Sequence, residues 1–360
     1  MKICLISKQF YPATIGGAET YMYEIYKRIK KENDVTIFTY DDVDCEGAEV
    51  IPVPKVHFTI SSFLFSIIAG LKARSRDYDI VHINGYWGEF SGVFVENGIV
   101  TVHDVGFIGK AGILNKIRFF LIDNMIKSAK KVFTDSERVK NEILQHFKIS
   151  EDKIVVIPIG INIEMYGSTG SARNFRKNYL TNDDTMVLSF GRFARNKGYE
   201  FLIDAFKDIE EKVNNCYLII AGRAEDEKYL RELRERAGDT DKIQFLTDVS
   251  EGEKIGLFAA CDIYCQPSIA EEGFGISILE AMASGKPCIA TDAFSGVGHL
   301  PNDFLVRSGD KKALAKKIVE LLSSDYISVG ASMRKIAEKY SWNEISLEII
   351  RLYEEVNMPK

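Results

Sequence analysis

A segment rich in acids and glycines, residues 271–287, combines carboxylates with backbone amides that could bind a ligand. Glu272 precedes a short predicted helix and Glu280 lies on it, and the helix starts after Gly-Phe-Gly and ends at Gly285. Glycines let backbone amides come close to a ligand, and the start of a helix attracts anions through its unpaired N–H groups. A phosphate at that point, flanked by two carboxylates that accept hydroxyl protons, fits a sugar nucleotide. Acids that only complement the helix dipole would explain Glu272 but not the glycines.

Two cations lie on a loop that follows a strand-like run in the second half of the chain. Arg192 and Lys197 come after residues 186–190, between Gly191 and Gly198. Arginine presents a planar fork and lysine a point charge, and together they can neutralise a pyrophosphate. Either residue alone would be an ordinary solvated charge. Their shared position at the carboxyl end of a strand favours a diphosphate-binding loop.

Two further segments lie at predicted strand ends in the first half. Gly16 and Gly17 form a turn between the first strand and the first helix, without the GxGxxG spacing of a dinucleotide fold or the lysine of a P-loop. His103, followed by Asp104, ends the run GIVTV. A single histidine is more often structural, but the end of a strand is also where a functional histidine would lie.

Short apolar runs alternate with longer helical patterns, which is typical of βαβ units around a parallel sheet. The predicted strands cover residues 2–7, 34–40, 79–85, 98–104, 131–136, 153–160, 185–192, 216–223, 242–247, 262–268 and 286–292. Helical patterns include Glu19–Lys31, Lys110–Lys130 and an amphipathic segment at 341–356. We therefore predict an α/β protein with two Rossmann-like, doubly wound domains.

A small and polar segment, residues 167–174, separates the two halves and predicts an exposed linker. We place the domain boundary near residue 170, with an N-terminal domain over 1–170, a C-terminal domain over 171–340 and a final helix over 341–360. Two open sheets joined in this way would leave a cleft between their carboxyl-end edges, where such sheets bind ligands.

The composition excludes several classes of protein. The 360 residues are 46% apolar and 27% charged, which is typical of a folded chain, and a single core rarely grows to this length. The net charge of −6 argues against a nucleic-acid-binding surface over the whole molecule. Six scattered cysteines without a CxxC pair are predicted to be reduced, which indicates an intracellular protein.

Two apolar segments are relevant to whether the protein spans or binds a membrane. The longest apolar run, Phe63 to Leu71, is far shorter than the ~20 residues of a spanning helix, and no export signal is visible. The segment Lys110–Lys131 combines six cations and a wide apolar arc with one acid, Asp123. It is either a core helix with a solvated rim or a peripheral helix on an anionic membrane. The second interpretation predicts a cytoplasmic protein that binds the inner face of the membrane reversibly.

In this order, the motifs resemble glycosyltransferase family 4, retaining glycosyl transferases of group 1 with the GT-B fold. The resemblance covers nearly the whole chain and rests on GGAE at 16–19, HD at 103–104, TDSERVKNEIL at 134–144, VIPIGIN at 156–162, GRFARNKG at 191–198 and EEGFGISILEAMASGKPCIATD at 271–292. Its most specific element is Glu-x7-Glu (Glu272, Glu280) combined with GRxxxxKG. The family fold implies that the final helix packs back on the N-terminal domain.

The resemblance implies a donor site for a nucleotide-diphosphate sugar, with UDP or GDP as the expected nucleotide. Arg192 and Lys197 would bind the diphosphate, Glu280 the ribose hydroxyls and Glu272 the hydroxyls of the donor sugar. Three backbone amides would lie near that sugar and the β-phosphate: Phe274, Gly275 and Ile276. The sugar, a hexose, would pass to a hydroxyl group of a glycan, a glycolipid or a lipid-linked saccharide.

From the N-terminal domain, the resemblance implies that Gly16 and Gly17 approach the diphosphate or the acceptor. His103 would lie near the reacting face of the donor sugar, and completes an implied catalytic set with Glu272, Arg192 and Lys197. The leaving phosphate itself can take the proton of the acceptor, so no separate base, cofactor or metal is expected. The acidic triplets at 42–44 and 239–241 are accordingly predicted to be solvated loops.

One departure and several alternatives accompany the resemblance. After Asp292 the family commonly has a Gly-Gly-x-Pro-Glu-like turn, whereas residues 293–301 keep the glycines but lack the glutamate. A sugar-nucleotide epimerase of the same fold would act on the donor without an acceptor, and a non-catalytic sugar-binding protein would tolerate loss of Glu280. A phosphorylase would need a longer chain, and a nicotinamide dehydrogenase would need GxGxxG after the first strand.

Overall fold

The computed structural model divides the chain into two units, each with its own parallel sheet and core. Unit 1 comprises Met1–Gly160 and Trp342–Lys360, and unit 2 comprises Ile161–Ser341. The structure describes residues 1–14, 17–54, 58–85, 91–92, 94–95, 98–105, 108, 112–167, 176, 181, 184–270, 275–293 and 300–358. The division falls after Gly160 and not near residue 170, and most of the predicted linker lies outside the described residues.

The strands of unit 1 form one sheet in which every neighbouring pair is parallel. Its strands are β1 (Lys2–Ile6), β2 (Asp34–Thr39), β3 (Ala48–Val50), β4 (Ile80–Asn84), β5 (Ile99–Val102), β6 (Lys131–Thr134) and β7 (Ile154–Val156). They lie in the order β3-β2-β1-β4-β5-β6-β7. The chain therefore turns from one side of β1 to the other between β3 and β4, which makes β1 and β4 a topological switch point.

The sheet of unit 2 repeats this plan. Its strands are β8 (Thr185–Phe190), β9 (Cys216–Gly222), β10 (Ile243–Thr247), β11 (Ile263–Gln266), β12 (Cys288–Thr291) and β13 (Leu305–Val306). They are parallel and lie in the order β10-β9-β8-β11-β12-β13, so β8 and β11 form the second switch point. Two parallel sheets with this winding confirm the predicted α/β, Rossmann-like fold class.

Helices cover the sheets. In the described part of the chain they are α1 (Gly17–Ile29), α2 (Phe58–Arg74), α3 (Ile113–Ser128), α4 (Glu137–His146), α5 (Tyr199–Glu210), α6 (Glu227–Ala237), α7 (Glu251–Ala260), α8 (Ile276–Ala283), α9 (Lys311–Leu322), α10 (Tyr326–Glu338) and α11 (Trp342–Asn357). Side-chain oxygens cap several of them, and Ser250 and Glu253 form a complete capping box at α7.

In unit 1 the alternation of side chains along each strand builds two cores. Ile3 and Leu5 of β1 point into a cluster with α1 and α11, whereas Cys4 and Ile6 point into a cluster with α2, α3 and α4. The final helix α11 therefore completes one face of unit 1. In unit 2, helices α5, α6 and α9 share one core cluster, and α7 and α8 contact β8, β11 and β12.

Two further findings concern the cysteines and the lengths of the helices. All six cysteines have free thiols, and five of them are buried in the cores. Burial raises the pKa of the Cys216 and Cys261 thiols to about 12, as fits an apolar packing role. Among the residues that the structure describes, no helix is both long enough and apolar enough to cross a membrane.

Candidate functional site

The carboxyl end of β8 carries the loop with the predicted diphosphate-binding cations. Backbone hydrogen bonds hold this loop against the end of β9 and the residue that follows it: the amides of Gly191 and Phe193 donate to the carbonyls of Ala221 (2.9 Å) and Arg223 (2.9 Å). The Phe193 side chain is fully buried and anchors the loop in the core. The loop is thus a fixed part of unit 2 and presents its polar side chains from a rigid base.

A glycine closes the loop against the neighbouring strand end. Gly198 has φ +66°, and a Cβ atom there would lie 2.1 Å from the carbonyl oxygen of Pro267, which follows β11. The amide of Ile269 also donates to the carbonyl of Asn196 at 2.9 Å. Only glycine fits this approach. The cation loop therefore adjoins the segment that leads from β11 toward α8.

The two predicted cations have different surroundings. Arg192 is exposed, and its Nη1 donates to Glu225 at 3.1 Å in a surface pair of little energetic weight. Lys197 is half-buried at the end of the short 3₁₀ turn Arg195–Lys197. A Cβ atom on Gly191 would lie 3.8 Å from Lys197 Nζ, so the absence of a side chain at Gly191 leaves space for the lysine. An incoming diphosphate can replace Glu225 at Arg192 at small cost.

Helix α8 starts beside this loop. Gly275 precedes it in the left-handed conformation (φ 71°, ψ 52°) without a side-chain cap, and Ile276 and Ser277 begin the helix. Ser277 Oγ donates to Gln266 Oε1 at 3.3 Å, which ties the helix start to the end of β11. The first amides of α8 therefore face the same sheet edge as the cation loop. Glu272 and Phe274 lie outside the described residues.

Glu280 is buried on α8, one turn after Ile276, and is held by two donors. Its Oε1 accepts hydrogen bonds from the Tyr166 hydroxyl at 2.6 Å and from Lys254 Nζ at 2.8 Å. Lys254 also contacts Glu251 at 2.6 Å. Burial lowers the pKa of Lys254, but Glu280 and Glu251 outweigh this effect and raise it overall. The carboxylate of Glu280 is thus fixed in position and paired with a cation.

Tyr166 and Lys254 are site residues that the sequence analysis missed. Tyr166 lies in the 3₁₀ turn Ile163–Gly167, which the predicted boundary assigned to the N-terminal domain but which belongs to unit 2. Burial and the neighbouring Glu280 carboxylate raise the pKa of the Tyr166 hydroxyl, so it remains a donor. Lys254 lies inside α7, where its sequence position resembles an ordinary surface lysine.

A second site lies at the switch point of unit 1. A cavity of about 300 Å³ opens at the carboxyl ends of β1, β4 and β5 and at the start of α1. His103 lines it together with Asn84, Glu19 and Lys8. Gly17 is the exposed first residue of α1, and Gly16 lies outside the described residues. The polar lining and the position at the sheet edge make this cavity a candidate ligand site.

The ring of His103 is oriented by its neighbours. Its Nε2 lies 3.0 Å from Asn84 Oδ1, its Nδ1 lies 3.4 Å from Asp135 Oδ2, and the ring meets that of Tyr21 edge-on at 5.1 Å. The Asn84 amide donates to Ala18 O at 3.0 Å, and a carbonyl can only accept. The oxygen of Asn84 therefore faces the ring and can accept a hydrogen bond from Nε2 of His103.

Lys8 is a further lining residue that sequence reasoning missed. It is almost fully buried at the end of β1, and its Nζ donates to Ser62 Oγ of α2 at 2.6 Å. Burial lowers the pKa of Lys8 to about 8 against the opposite effect of Asp41. The lysine links the cavity to α2.

The structure therefore groups the predicted residues by unit. Arg192, Lys197, Gly275, Ile276 and Glu280 lie around the carboxyl ends of β8 and β11 in unit 2. In unit 1, Gly17 and His103 lie around the carboxyl ends of β1, β4 and β5. The two acidic triplets at 42–44 and 239–241 lie in loops whose aspartates are exposed.

Two family models match the chain. The model described as Glycosyltransferase Family 4 matches residues 15–165, and the model described as Glycosyl transferases group 1 matches residues 171–341. An uncharacterized glycosyltransferase of Methanocaldococcus jannaschii is 28% identical over 98% of both chains. A phosphatidyl-myo-inositol mannosyltransferase of Mycobacterium leprae is 34% identical over 56% of this chain and 54% of its own length.

Solved structures share the fold. HepE of Anabaena in complex with UDP superposes with a TM-score of 0.79 at 20% identity, over 99% of this chain and 100% of that one. Sucrose-phosphate synthase of Thermosynechococcus elongatus superposes with a TM-score of 0.77 at 21% identity, over 99% and 98% of the two chains.

Proposed function

We propose, from the premise that this chain belongs to glycosyltransferase family 4, that it moves a hexose from a nucleotide-diphosphate sugar to a hydroxyl group with retention of anomeric configuration. Membership rests on the two family models, which match its two halves in succession. The chain is accordingly a glycosyltransferase, and the donor, the stereochemistry and the acceptor are the subject of the proposal.

The grouping of complementary polar groups at the β8–β11 switch point carries the proposal for the donor. Arg192 and Lys197 supply two positive charges, and the first amides of α8 supply N–H groups beside them. Both features favour a diphosphate. Glu280, one turn farther along α8, supplies a carboxylate that can accept hydrogen bonds from two hydroxyls of one ribose. The spacing matches a nucleoside diphosphate whose phosphates lie at the helix start.

Glu280 keeps the capacity for this role although it already accepts two hydrogen bonds. A carboxylate offers about four acceptor positions on its two oxygens. Tyr166 and Lys254 both bind Oε1. We therefore assign Oε2 and the remaining lone pair of Oε1 to the ribose, with Lys254 and Tyr166 fixing the carboxylate before the nucleotide arrives.

The proposed reaction needs no side chain as general base. The bond between C1 of the sugar and the β-phosphate oxygen breaks while the acceptor oxygen bonds to C1 on the same face. The leaving phosphate takes the proton of the acceptor hydroxyl, and Arg192, Lys197 and the start of α8 stabilise the charge that develops on it. As the family resemblance implies, Glu272 would hold hydroxyls of the donor sugar, and His103 would lie near the reacting face of that sugar. No metal has a role in this scheme.

The acceptor and the cellular location are also proposals. The Mycobacterium leprae relative is named for transfer of mannose to phosphatidyl-myo-inositol, which supports a lipid-borne acceptor for this chain. We therefore propose a cytoplasmic enzyme of glycan or envelope synthesis that works at an anionic membrane surface. The part of the segment Lys110–Lys131 in α3 would contribute to that surface.

Ligand binding and turnover test the proposal in two steps. UDP-, GDP- and ADP-sugars are first screened by thermal shift, because a ligand at a hundred times its Kd stabilises by about 2.7 kcal/mol. The stabilising donor is then incubated with membrane-lipid extract as acceptor, with and without EDTA, and the anomeric configuration of the product is read by NMR. Failure of every nucleotide sugar to stabilise the protein, or an inverted product, would overturn the proposal.

A further inference from the structure

Helix α2 has an unusual distribution of side chains. Four large apolar residues of this helix are exposed, with Ile60 at 53% and Leu71 at 49%: Ile60, Phe63, Ile68 and Leu71. Small polar residues are buried on its other side: Ser61, Ser62 and Ser66. Phe65, Ala69 and Ala73 are also buried, so the helix has apolar side chains on both sides, whereas a helix on the surface of a globular unit normally turns polar residues outward.

The buried side of α2 has a packing reason for its small residues. Ser62 Oγ accepts from Lys8, Ser66 Oγ donates to Ser62 O at 2.9 Å, and Ser91 Oγ donates to Ser66 O at 3.0 Å. A Cβ on Gly70 would lie 2.9 Å from Ser91 O. Small side chains are thus needed where α2 meets Lys8 and Ser91, but nothing in this packing requires large apolar side chains on the outside.

Helix α3 packs into the same core cluster of unit 1 as α2. Its Ile122, Met125 and Ile126 lie in the core cluster that also contains the buried residues of α2. Its Ile117 and Phe120 are exposed, Phe120 at 64%. Residues 91–92 contact both helices, because Ser91 bonds to α2 and Gly92 packs against Met125. We call the exposed apolar residues of the two helices the α2–α3 face: Ile60, Phe63, Ile68, Leu71, Ile117 and Phe120.

The charge of these helices distinguishes between occupants of the face. Residues 58–74 and 113–128 together hold five cations and one acid, although the whole chain has a net charge of −6. Two of these cations are paired within unit 1, Lys72 with Glu49 and Lys127 with Asp123. Arg74 and Lys116 are exposed beside the apolar residues. A second copy of the chain would bring like charges together at this face. Anionic lipid headgroups would meet the cations, and their acyl chains would cover the apolar residues.

The C-terminal half of the segment Lys110–Lys131 does not supply this surface. Lys127 pairs with Asp123 at 2.6 Å, Lys130 Nζ donates to Val356 O at 2.9 Å, and Lys131 Nζ donates to Asp152 O at 2.8 Å. The apolar arc of that half is buried in the core. The sequence-based membrane helix is therefore only partly exposed, and α2 carries most of the exposed apolar side chains.

We propose that the α2–α3 face is the membrane-binding surface of this protein and that it binds anionic phospholipid. The biological reason for this binding rests on the proposed function, because the enzyme would reach a lipid-borne acceptor only at the bilayer. The binding itself follows from the exposed apolar side chains and the surrounding cations. Each cation near an anionic surface strengthens binding about fivefold, so association should be reversible and weakened by salt.

Co-sedimentation of the full chain with vesicles tests the proposal. The double variant Leu71→Gln/Phe120→Gln removes one exposed apolar side chain from each helix, and glutamine keeps the helical preference. Ile327→Gln is the matched control, because Ile327 is 72% exposed on α10 of unit 2. We expect the wild type and the control to bind vesicles that contain phosphatidylglycerol, and not pure phosphatidylcholine. The double variant should bind at least about tenfold more weakly.

Three outcomes would overturn the proposal: no binding of the wild type to anionic vesicles at low salt, equal binding of the double variant, or a wild-type dimer in light scattering that the variant abolishes. The last result would assign the face to a second copy. Thermal shift with the donor sugar, in the absence of vesicles, reports on the proposed function separately. A variant that loses vesicle binding but keeps donor binding identifies the surface. A wild type that binds vesicles but no donor sugar counts against the proposed function alone.

Discussion

The hydroxyl of Tyr166 donates a 2.6 Å hydrogen bond to Glu280, and so joins the turn that opens unit 2 to the helix beside the switch point. The two residues lie far apart in the sequence, and both are buried. The contact fixes the rotamer of a carboxylate to which we assign the ribose. A tyrosine outside the recognised motifs thereby enters the donor site as a positioning residue.

Tyr166→Phe should weaken nucleotide binding without abolishing it. The variant removes a hydrogen bond to a charged group, worth about 1.5–3 kcal/mol, while Lys254 still holds Glu280. Calorimetry with UDP and GDP measures the change. Tyr326→Phe is the matched control, because Tyr326 also bonds a carboxylate in unit 2, that of Asp262 at 3.4 Å. Equal nucleotide affinity in Tyr166→Phe and wild type would contradict the positioning role.

Arg192→Ala and Lys197→Ala should each lower kcat/KM for the donor. Loss of a charge-assisted contact to a bound diphosphate costs roughly 2–5 kcal/mol. Arg195→Ala serves as control, since Arg195 belongs to the same loop but pairs with Glu232 at 2.6 Å and stacks on Tyr229. If the Arg195 variant lost as much activity as the other two, the loop would act through its general charge and not through two specific contacts.

Glu280→Gln and Glu272→Gln should separate nucleotide binding from sugar transfer. An amide accepts fewer hydrogen bonds from ribose than a carboxylate does, so Glu280→Gln should weaken binding of the free nucleotide. Glu272→Gln should leave that affinity unchanged and lower kcat, because its assigned partners are hydroxyls of the sugar. Calorimetry and transfer assays on the same preparations decide the matter. Similar losses of nucleotide affinity in both variants would refute this division.

Stability should fall below neutral pH through His82. This histidine of β4 is fully buried between Tyr353 of α11, at 2.5 Å from Nδ1, and Thr101, at 2.6 Å from Nε2. Burial, with a smaller contribution from His103, lowers its pKa to about 3, whereas an unfolded histidine titrates near 6.5. Between these values the unfolded chain binds the extra proton, so the free energy of unfolding decreases as the pH falls, by up to about 1.4 kcal/mol per pH unit.

Urea unfolding at several pH values between about 6.5 and 4.5 measures this dependence. His82→Gln keeps a polar side chain but cannot titrate, so its free energy of unfolding should vary less steeply with pH than that of the wild type. Parallel pH dependences in the two proteins would show that other groups cause the acid destabilisation.

Much of the fold follows from the sequence because each buried parallel strand is a short apolar run between helical patterns. The strands that escaped prediction are β3 and β13, of three and two residues, which lie at sheet edges and are too short to show a pattern. The cation loop and the start of α8 were predictable because glycines mark both. Their placement follows from the strand order, since β8 and β11 are neighbours.

The supporting contacts could not be predicted in the same way. Lys254 and Tyr166 become site residues only because α7 and the turn at 163–167 pack against α8. Lys8 has the sequence position of a surface lysine, but α2 covers it. The outward side of α2 could not be predicted either, since large apolar and small residues are interspersed along this helix and only the packing shows which of them face the core.

Helix α11 completes unit 1 with a segment that is translated after the whole of unit 2. Gly160 packs so closely on Trp342 of this helix that a Cβ would lie 2.5 Å from the indole, and Ile161 pairs with Ser341 beside it. Unit 2 is therefore, in topological terms, an insertion within unit 1. During translation, unit 2 can fold from one continuous stretch of chain. One apolar face of unit 1 stays uncovered until residues 342–357 have been synthesised. A premature stop codon before α11 would thus damage unit 1, most of which is translated before unit 2.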